Sequence, residues 1–537
     1  MSEWTIGAVL DAIADVIGDR TMTLCGDRRS TFAESARRTN RIADYLGRKG
    51  FGVYAAREGL ARWECGQDRI ALIMYNDLYP DMVIGCLKAR TVPVNVNHHY
   101  SPREIRELLD YIRPRAIIYH RSLGARFSNV LPPNGTELLI SIDDGRAAPQ
   151  LPKAVPLDDA LAAGSPDFHP AGSPDDLIMM CTGGTTGRPK GVLWRQGDMY
   201  VSSMVGADHA SVTEIHDKAA GGGQPWFAVS PLMHAAGMWT AFAALCAGLP
   251  VVLYDDRNKL DVRSVWETAE REKVGMMTMV GDAYAGPLIA ELRARRYDLS
   301  SLQAIGTGGA ATNAKYKRAL MECLPHITII EGYGSSESGN MAFGHSHNGN
   351  ASETFEPRVG ATVLSADRSR FLQPGEQEIG WAARTGRIPL GYFSDAEATQ
   401  RTFPEIEGHR VVIPGDRASL EKDGTIRLYG RDSLVVNTGG EKVFVEEVEE
   451  VLRAHRGVVD ALVVGRPSER WGQEVVALVA AQPDANLTDD ALYAVCTAQL
   501  AHFKAPKAFI FVDQIERLGN GKPNYRWARE QSAQNVS

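Results

Sequence analysis

Between Thr182 and Gly191 the chain sets glycines, hydroxyls and cations side by side, within the run CTGGTTGRPKGV. Gly183, Gly184 and Gly187 let the backbone approach a ligand closely and turn its N–H groups inward. Thr182, Thr185 and Thr186 add hydroxyl donors, and Lys190 adds a full charge. The set suits a polyphosphate. A flexible surface hairpin is the plainer alternative, against which stand the strand expected over 176–181 and the presence of Lys190. The segment is not the P-loop of kinases and GTPases, which needs Gly-Lys-Ser/Thr, because Lys190 follows Pro189 and precedes Gly191.

Six further motifs carry polar groups of the same kind: SPLMHAAG with His234, GTGGA with Gly308, Gly309 and Ala310, EGYGSSESG with Tyr333, Ser336 and Glu337, PGDRA with Asp416, YGRDS with Arg431, and RLGNGKPNYRW with Lys522. Taken singly, each has a plain structural reading. A lone histidine after a strand is often a satisfied structural residue. Tyr333 alone reads as core, Asp416 as a turn residue after Pro414-Gly415, and Lys522 as a solvated charge.

Taken in order, the seven motifs resemble the adenylate-forming superfamily: acyl-CoA synthetases, luciferases and nonribosomal adenylation domains. The resemblance runs from about residue 69 to residue 526. The variant loop with two glycines followed by VLWRQ looks most like bacterial acyl-CoA synthetases acting on long-chain fatty acids and steroid side chains. Gly183 and Ser336 stand where the family usually has Ser and Thr.

The resemblance implies a reaction in which a carboxylate attacks the α-phosphorus of ATP and pyrophosphate leaves. Both partners are anions, so positioning and well-placed cations must supply the catalysis. Tyr333 would stack on adenine over Gly308, Gly309 and Ala310, while Asp416 and Arg431 would hold the ribose. Glu337 would bind the magnesium that bridges phosphate oxygens, Ser336 would reach the α-phosphate, and Lys522 would bridge the carboxylate and that phosphate. His234 would divide the acyl pocket from the adenylate. By the same resemblance the acyl pocket includes Ala235, Ala236, Gly237, Met238 and Trp239, with the strand from Met276 through Met279 to Gly281. Ala235 replaces the Asp with which amino-acid-activating relatives bind the amine, which points to a large apolar acid. The Met-rich strand has core packing as its plainer reading.

The family presents its small domain in two orientations, one for adenylation and one for thiol transfer. Here the hinge falls at Ser433, where most members have Asp or Lys. Gly439, Gly440 and Glu441 would line the tunnel for the pantetheine of coenzyme A, and charge alone suggests Arg466, Arg470 or Lys504 for its nucleotide end. A carrier-protein phosphopantetheine is an alternative acceptor. A silent nucleotide-binding regulator is a second alternative, disfavoured because Glu337, Asp416, Arg431 and Lys522 are all present.

These residues need a scaffold, and the chain is long enough for one. Single cores stop growing near ~250 to 300 residues, so 537 residues divide into domains. From Arg69 strands and helical stretches alternate, RIALIMYN, 81–90, TVPVNVN, 102–112 and AIIYH. A second series runs through PWFAVSPL, PVVLYDD, GMMTMVGD, LQAIGTGG and ITIIEGYG. Such alternation makes parallel sheets flanked by helices. Turn signals then crowd 359–429, and a compact α+β unit follows Arg431. The expected fold class is α/β. It has a large N-terminal domain (1–430) of two α/β layers plus a small β unit, then a small mobile α+β domain (431–537).

The formal charge of -8 gives no reason to expect nucleic acid as partner. Seven scattered cysteines with no C-x-x-C pair fit a reducing cytoplasm. The N-terminal stretch alternates Ile6, Val9, Leu10 and Ile13 with Asp11 and Asp15, an amphipathic helix and not a signal peptide. The apolar run over 239–254 contains Gly248 and Pro250 and is too short to span a bilayer. The partners that the resemblance implies are ATP, magnesium, coenzyme A and a carboxylic acid, and the reading admits a homodimer.

Overall fold

The computed structural model describes residues 3–131, 136–169, 172–183, 189–257, 259–309, 312, 314–431, 435–483, 485–516 and 524–534. Five strands, Arg69–Ile73, Val92–Asn95, Ala116–His120, Leu138–Ile142 and Leu177–Gly183, form the parallel heart of an eight-stranded sheet. Ile70 and Leu72 face one apolar cluster while Ala71 and Ile73 face another. This period of two, with both faces covered, is why the strand reads as continuous apolar sequence. The Pro189–Arg195 strand folds back antiparallel on Leu177–Gly183, pairing Thr182 with Lys190 and Gly183 with Pro189. Thr182, Gly183 and Lys190, expected in a loop, lie in the paired strands, since ladder bonds extend that far.

The second series builds another parallel sheet, in the order Thr21–Cys25, Val251–Leu253, Trp226–Ala228, Met276–Met279, Ala304–Gly308 and Thr328–Ser335. The β unit does not stand apart. Gly339–Ser346 returns antiparallel on Thr328–Ser335, and Thr354–Pro357 joins it to Ile426–Arg431, so that fifteen strands form one continuous network. Gly375, Gly415 and Gly424 turn this region at φ +88, +99 and +82, values that disfavour side chains. The largest apolar cluster lies between the two sheets, bringing together Leu72, Ile118, Ala228 and Val251.

Two buried asparagines splice the layers. Asn95 donates to the carbonyls of Cys181 and Met233, at 3.2 and 2.7 Å. Asn76 donates to Tyr254 O and accepts from Leu232 N, at 2.9 and 2.7 Å. Each of these bonds satisfies a group that burial would otherwise penalise by ~1 to 3 kcal/mol.

The small domain pairs Val458–Ser468 with Gly472–Ala481, adds Ala508–Val512 in parallel, and carries the short hairpin Val435–Thr438 and Glu441–Phe444. Helices Val445–Arg453 and Asp489–Gln499 cover one face, through Val448, Leu452, Leu492 and Cys496. Among the described residues no helix is long and apolar enough to cross a membrane.

One contact in the large domain leaves no slack. Helix Phe32–Arg48 crosses helix Tyr79–Lys88 so closely that a methyl on Gly85 would lie 2.1 Å from Cγ2 of Ile42. Gly85→Ala is expected to cost ~1 to 3 kcal/mol through overpacking, read as a lower midpoint in denaturant. Ile42→Ala in the same molecule should recover part of that loss; strictly additive losses would mean the two side chains do not meet.

Candidate functional site

The C-terminal ends of the parallel strands open toward the small domain, the edge where α/β sheets bind ligands. A cavity of about 850 Å³ lies there, bounded by Gly309, Gly332, Tyr333 and Asp416 on one side and by Val436, Asn437, Lys442 and Val464 on the other. The two domains therefore enclose it jointly.

At one end the Tyr333 hydroxyl donates to Asp416 Oδ2 at 2.9 Å, and its ring meets Phe355 at 5.9 Å between centroids. Asp416 and Arg431 are partners across the strand pair Asp416–Leu420 and Ile426–Arg431. Gly308 backs onto the Gly332 carbonyl, where an added methyl would stand at 3.2 Å. Beneath this floor Lys317 Nζ donates to Glu331 Oε2 at 2.8 Å, and Glu331 Oε1 accepts from Thr312 N at 3.2 Å. Both charged side chains are buried, so the pair braces the strand that carries Tyr333. The sequence reading passed over Lys317 and Glu331, although a glutamate inside an apolar strand is a signal for a buried partner.

The Pro189–Arg195 strand brings Lys190 in from the other sheet. Lys190 Nζ stands 4.8 Å over the ring of Tyr392, whose hydroxyl donates to Glu337 Oε1 at 3.1 Å. Tyr392 thus joins the loop cation to the expected magnesium carboxylate, and it was also missed. It sits in the two-residue strand Gly391–Tyr392, paired with Val192, too short to notice in sequence. Trp194 Nε1 holds the Ser336 carbonyl at 2.8 Å. Glu337 Oε2 has no hydrogen bond among the described residues, and a carboxylate with one oxygen engaged and one available fits a hard cation that keeps few protein ligands. Among those residues no group of three or more His, Cys, Asp or Glu is arranged to hold a metal by itself.

At the third corner His234 is the N-cap residue of helix Ala235–Leu245. Its Nε2 lies 3.1 Å from Glu441 Oε1, across the domain boundary. Burial opposes the charged imidazole, but the Glu441 carboxylate outweighs it and raises the pKa from its ordinary value. Glu441 is correspondingly lowered: burial acts upward, and His234, His99 and Lys504 pull it down. The contact therefore favours the charged form of each partner. The pair loses charge as pH rises through the raised pKa of His234 or falls through the lowered pKa of Glu441.

Glu441 is delivered by a hairpin that the sequence specifies closely. Thr438 pairs with Glu441, leaving Gly439 and Gly440 as a two-residue turn with φ +59 and +85. Positive φ at both positions marks the tight turns that suit strand twist and favour glycine. A methyl on Gly440 would stand 2.2 Å from Cγ1 of Val280, so the turn lies flush against that side chain. Gly309, at φ +77, faces Ala236 and Val280, 3.5 and 3.8 Å from where its own methyl would be. The small-domain turn, the wall from the His234 helix and the glycine floor meet at one junction.

The other sequence-derived residues are placed less uniformly. Gly237 packs against the Pro231 carbonyl, where a methyl would come within 2.5 Å. Met238 and Trp239 lie in the inter-sheet core, and Met279 lies in the core behind the second sheet. Gly281 opens helix Gly281–Ala294 at φ +55. Lys504 is not an open cation for a nucleotide, because Glu104 and Glu447 bind it in a buried cluster. Arg466 is engaged by Glu474, and Arg470 stacks on Trp471. Gly184, Thr185, Thr186, Gly187, Ala310, Ser433 and Lys522 lie outside the described residues, and Thr182, Gly183 and Arg431 are placed by their backbones alone.

The family model described as AMP-binding enzyme matches residues 10–369, and that of the AMP-binding enzyme C-terminal domain matches 447–522. A medium-chain acyl-CoA ligase, Mig, from Mycobacterium avium is 43% identical, over 98% of each chain. A medium/long-chain-fatty-acid–CoA/3-oxocholest-4-en-26-oate–CoA ligase from Mycobacterium tuberculosis is 36% identical, over 96% of this chain and 94% of its own. A 3-oxocholest-4-en-26-oate–CoA ligase from Rhodococcus rhodochrous is 33% identical, over 98% and 96%. Among solved structures, the amide bond synthetase McbA from Marinactinospora thermotolerans superposes with a TM-score of 0.77 at 20% identity, covering 97% of this chain and 99% of its own. The o-succinylbenzoate CoA synthetase of Bacillus subtilis gives 0.77 at 21%, covering 98% and 99%; both likenesses concern the fold alone. With its large domain matched by the family model and nearly its whole length matched by these relatives, the chain belongs to the AMP-binding enzyme family, in its acyl-CoA ligase branch.

Proposed function

We propose that this enzyme joins a large apolar carboxylic acid, a medium- or long-chain fatty acid or a steroid side-chain acid, to coenzyme A through an acyl adenylate. The observation that carries this reading is the junction of Gly440, Val280, Gly309 and Ala236, where a small-domain turn reaches the helix that follows His234 and the glycine floor of the cleft. The relatives that span nearly the whole chain are named as CoA ligases, which supports free coenzyme A as the acceptor.

In the first half-reaction the acid's carboxylate attacks the α-phosphorus of ATP, forming a C–O–P linkage as the bond to pyrophosphate breaks. Tyr333 and Asp416 orient the nucleoside, and Lys190 receives the outgoing phosphates. Magnesium would be held by Glu337 and would neutralise phosphate charge. Lys522 would bridge the two anions. In the second half-reaction the thiol sulfur attacks the acyl carbon, AMP leaves, and the thiol proton goes to solvent or to AMP. Gly439 and Gly440 keep the approach narrow and free of side chains, while Glu441 holds His234 aside through their 3.1 Å contact.

Variants should divide these halves. Lys522→Ala and Glu337→Gln are each expected to slow pyrophosphate release about a hundred- to thousandfold or less, the range for one contact to developing charge. Transfer from preformed acyl adenylate should be spared. Gly440→Val should do the reverse, since its side chain would collide with Val280 in the arrangement that presents Glu441. Equal slowing of both halves by all three variants would contradict these assignments.

Chain length sets the second prediction. Each buried CH₂ contributes ~0.8 kcal/mol, so the six methylenes separating octanoate from acetate favour octanoate by up to ~5 kcal/mol. A ligation panel of acetate, benzoate, octanoate, palmitate and a steroid with a carboxylated side chain should show specificity constants highest among the last three. Preference for acetate or benzoate would defeat the proposed substrate class.

A further inference from the structure

One lysine ties three elements together. Lys504 Nζ donates to Glu104 Oε1 at 2.6 Å and to both oxygens of Glu447, at 2.8 and 3.0 Å. The Lys504 and Glu104 side chains are each only 7% exposed, and Glu447 is 13% exposed. Lys504 and Glu447 belong to the small domain, whereas Glu104 lies in helix Pro102–Ile112 of the large domain. The cluster is a buried ion pair that crosses the domain boundary.

Its surroundings are shaped for docking. Glu104 completes a capping box: its Oε2 accepts from Ser101 N at 2.8 Å, leaving Oε1 for Lys504. Ser101 Oγ accepts from Glu104 N and donates to the carbonyl of Gln499, the last residue of helix Asp489–Gln499. The positive end of a large-domain helix therefore meets the negative end of a small-domain helix. Arg103 adds a bond to Gln499 Oε1 at 2.6 Å, and Lys504 lies over the Tyr100 ring at 5.1 Å.

Glu447 stands six residues beyond Glu441, in the helix that directly follows the Glu441–Phe444 strand. Fixing Glu447 to the large domain through Lys504 thus fixes the base of the hairpin that presents Glu441 to His234. If the small domain turns, Lys504 and Glu447 move together, while Glu104, Ser101 and the Gln499 carbonyl lose their partners. We propose that Lys504 and Glu104 are positioning residues for thiol transfer, forming a charged seat that exists only while Gly440 and Glu441 stand at the acyl junction. The proposal rests on the acyl-CoA ligase reading.

Burial raises the Glu447 carboxyl from its ordinary value while Lys504 pulls it down, and the two carboxylates raise Lys504. Two acids sharing one base make the lysine costly to lose, so Lys504→Met risks unfolding the small domain. Glu104→Gln is gentler. Its amide oxygen still caps Ser101 N, and its NH₂ then faces the ammonium in place of a carboxylate.

The test measures the two half-reactions of full-length Glu104→Gln with the best acid of the panel. Pyrophosphate release without coenzyme A should stay within about twofold of wild type, while kcat/KM for coenzyme A with preformed acyl adenylate should fall about tenfold or more, because the docked arrangement loses one partner of a buried pair. Glu104→Asp, which keeps the charge, should recover part of the loss. Unchanged transfer, or equal slowing of both halves, overturns the positioning role. A wild-type enzyme that makes adenylate but no CoA thioester would instead sink the ligase reading.

Discussion

The two-residue turn at Gly439-Gly440 sets the geometry on which the rest of the site depends. A side chain at Gly440 would not fit against Val280, and the positive φ at both turn positions closes the hairpin tightly. Because the turn lies flush against Val280, the small domain has one seat at this junction. That seat then decides which of its groups meet the large domain: Glu441 at His234, Lys504 at Glu104, Gln499 at Ser101. The second sheet holds Val280, Gly309 and Ala236 at a common point: Val280 follows Met276–Met279, Gly309 follows Ala304–Gly308, and Ala236 lies in the helix after Trp226–Ala228.

Charge explains the remaining arrangement. The reaction joins anions, and an apolar cleft would penalise them strongly. The chain answers with cations and hydroxyls from separate elements: Lys190 from the Pro189–Arg195 strand, Tyr392 between it and Glu337, and Tyr333 on Asp416. Elsewhere the buried charges are paired, as in Lys317 with Glu331 and Lys504 with its two acids. Pairs of this kind add little net stability, but losing one partner is expensive. They serve to fix one arrangement of strands and domains, and that is what a site assembled from seven separate motifs requires.

Much of this was legible in the sequence. Strands such as Ala116–His120 and helices such as Pro102–Ile112 follow from apolar period and capping, and both appear with the expected bounds. The motif residues Tyr333, Asp416 and Gly309 line one cavity, and Gly309 also faces Ala236, two residues after His234. What the sequence hid has physical reasons. Gly391–Tyr392 makes a strand of two residues, which no periodicity can announce, so Tyr392 escaped notice. The β unit merges with the second sheet because register between distant strands is not a local property. Lys504 looked like a surface cation because its burial depends on how two domains dock. Gly237, expected in the acyl pocket, makes a close approach to the Pro231 carbonyl.

The central claim is that one cleft makes an acyl adenylate and then surrenders it to a thiol. It is tested most directly by a single turnover with ATP labelled at the α-phosphate, excess enzyme and an apolar acid, quenched before and after coenzyme A is added. The account predicts label in enzyme-bound acyl adenylate while coenzyme A is absent. On its addition, that species should be replaced by AMP and acyl-CoA in equal amounts. Label appearing in ADP, or an adenylate that persists unchanged after coenzyme A is supplied, would contradict it.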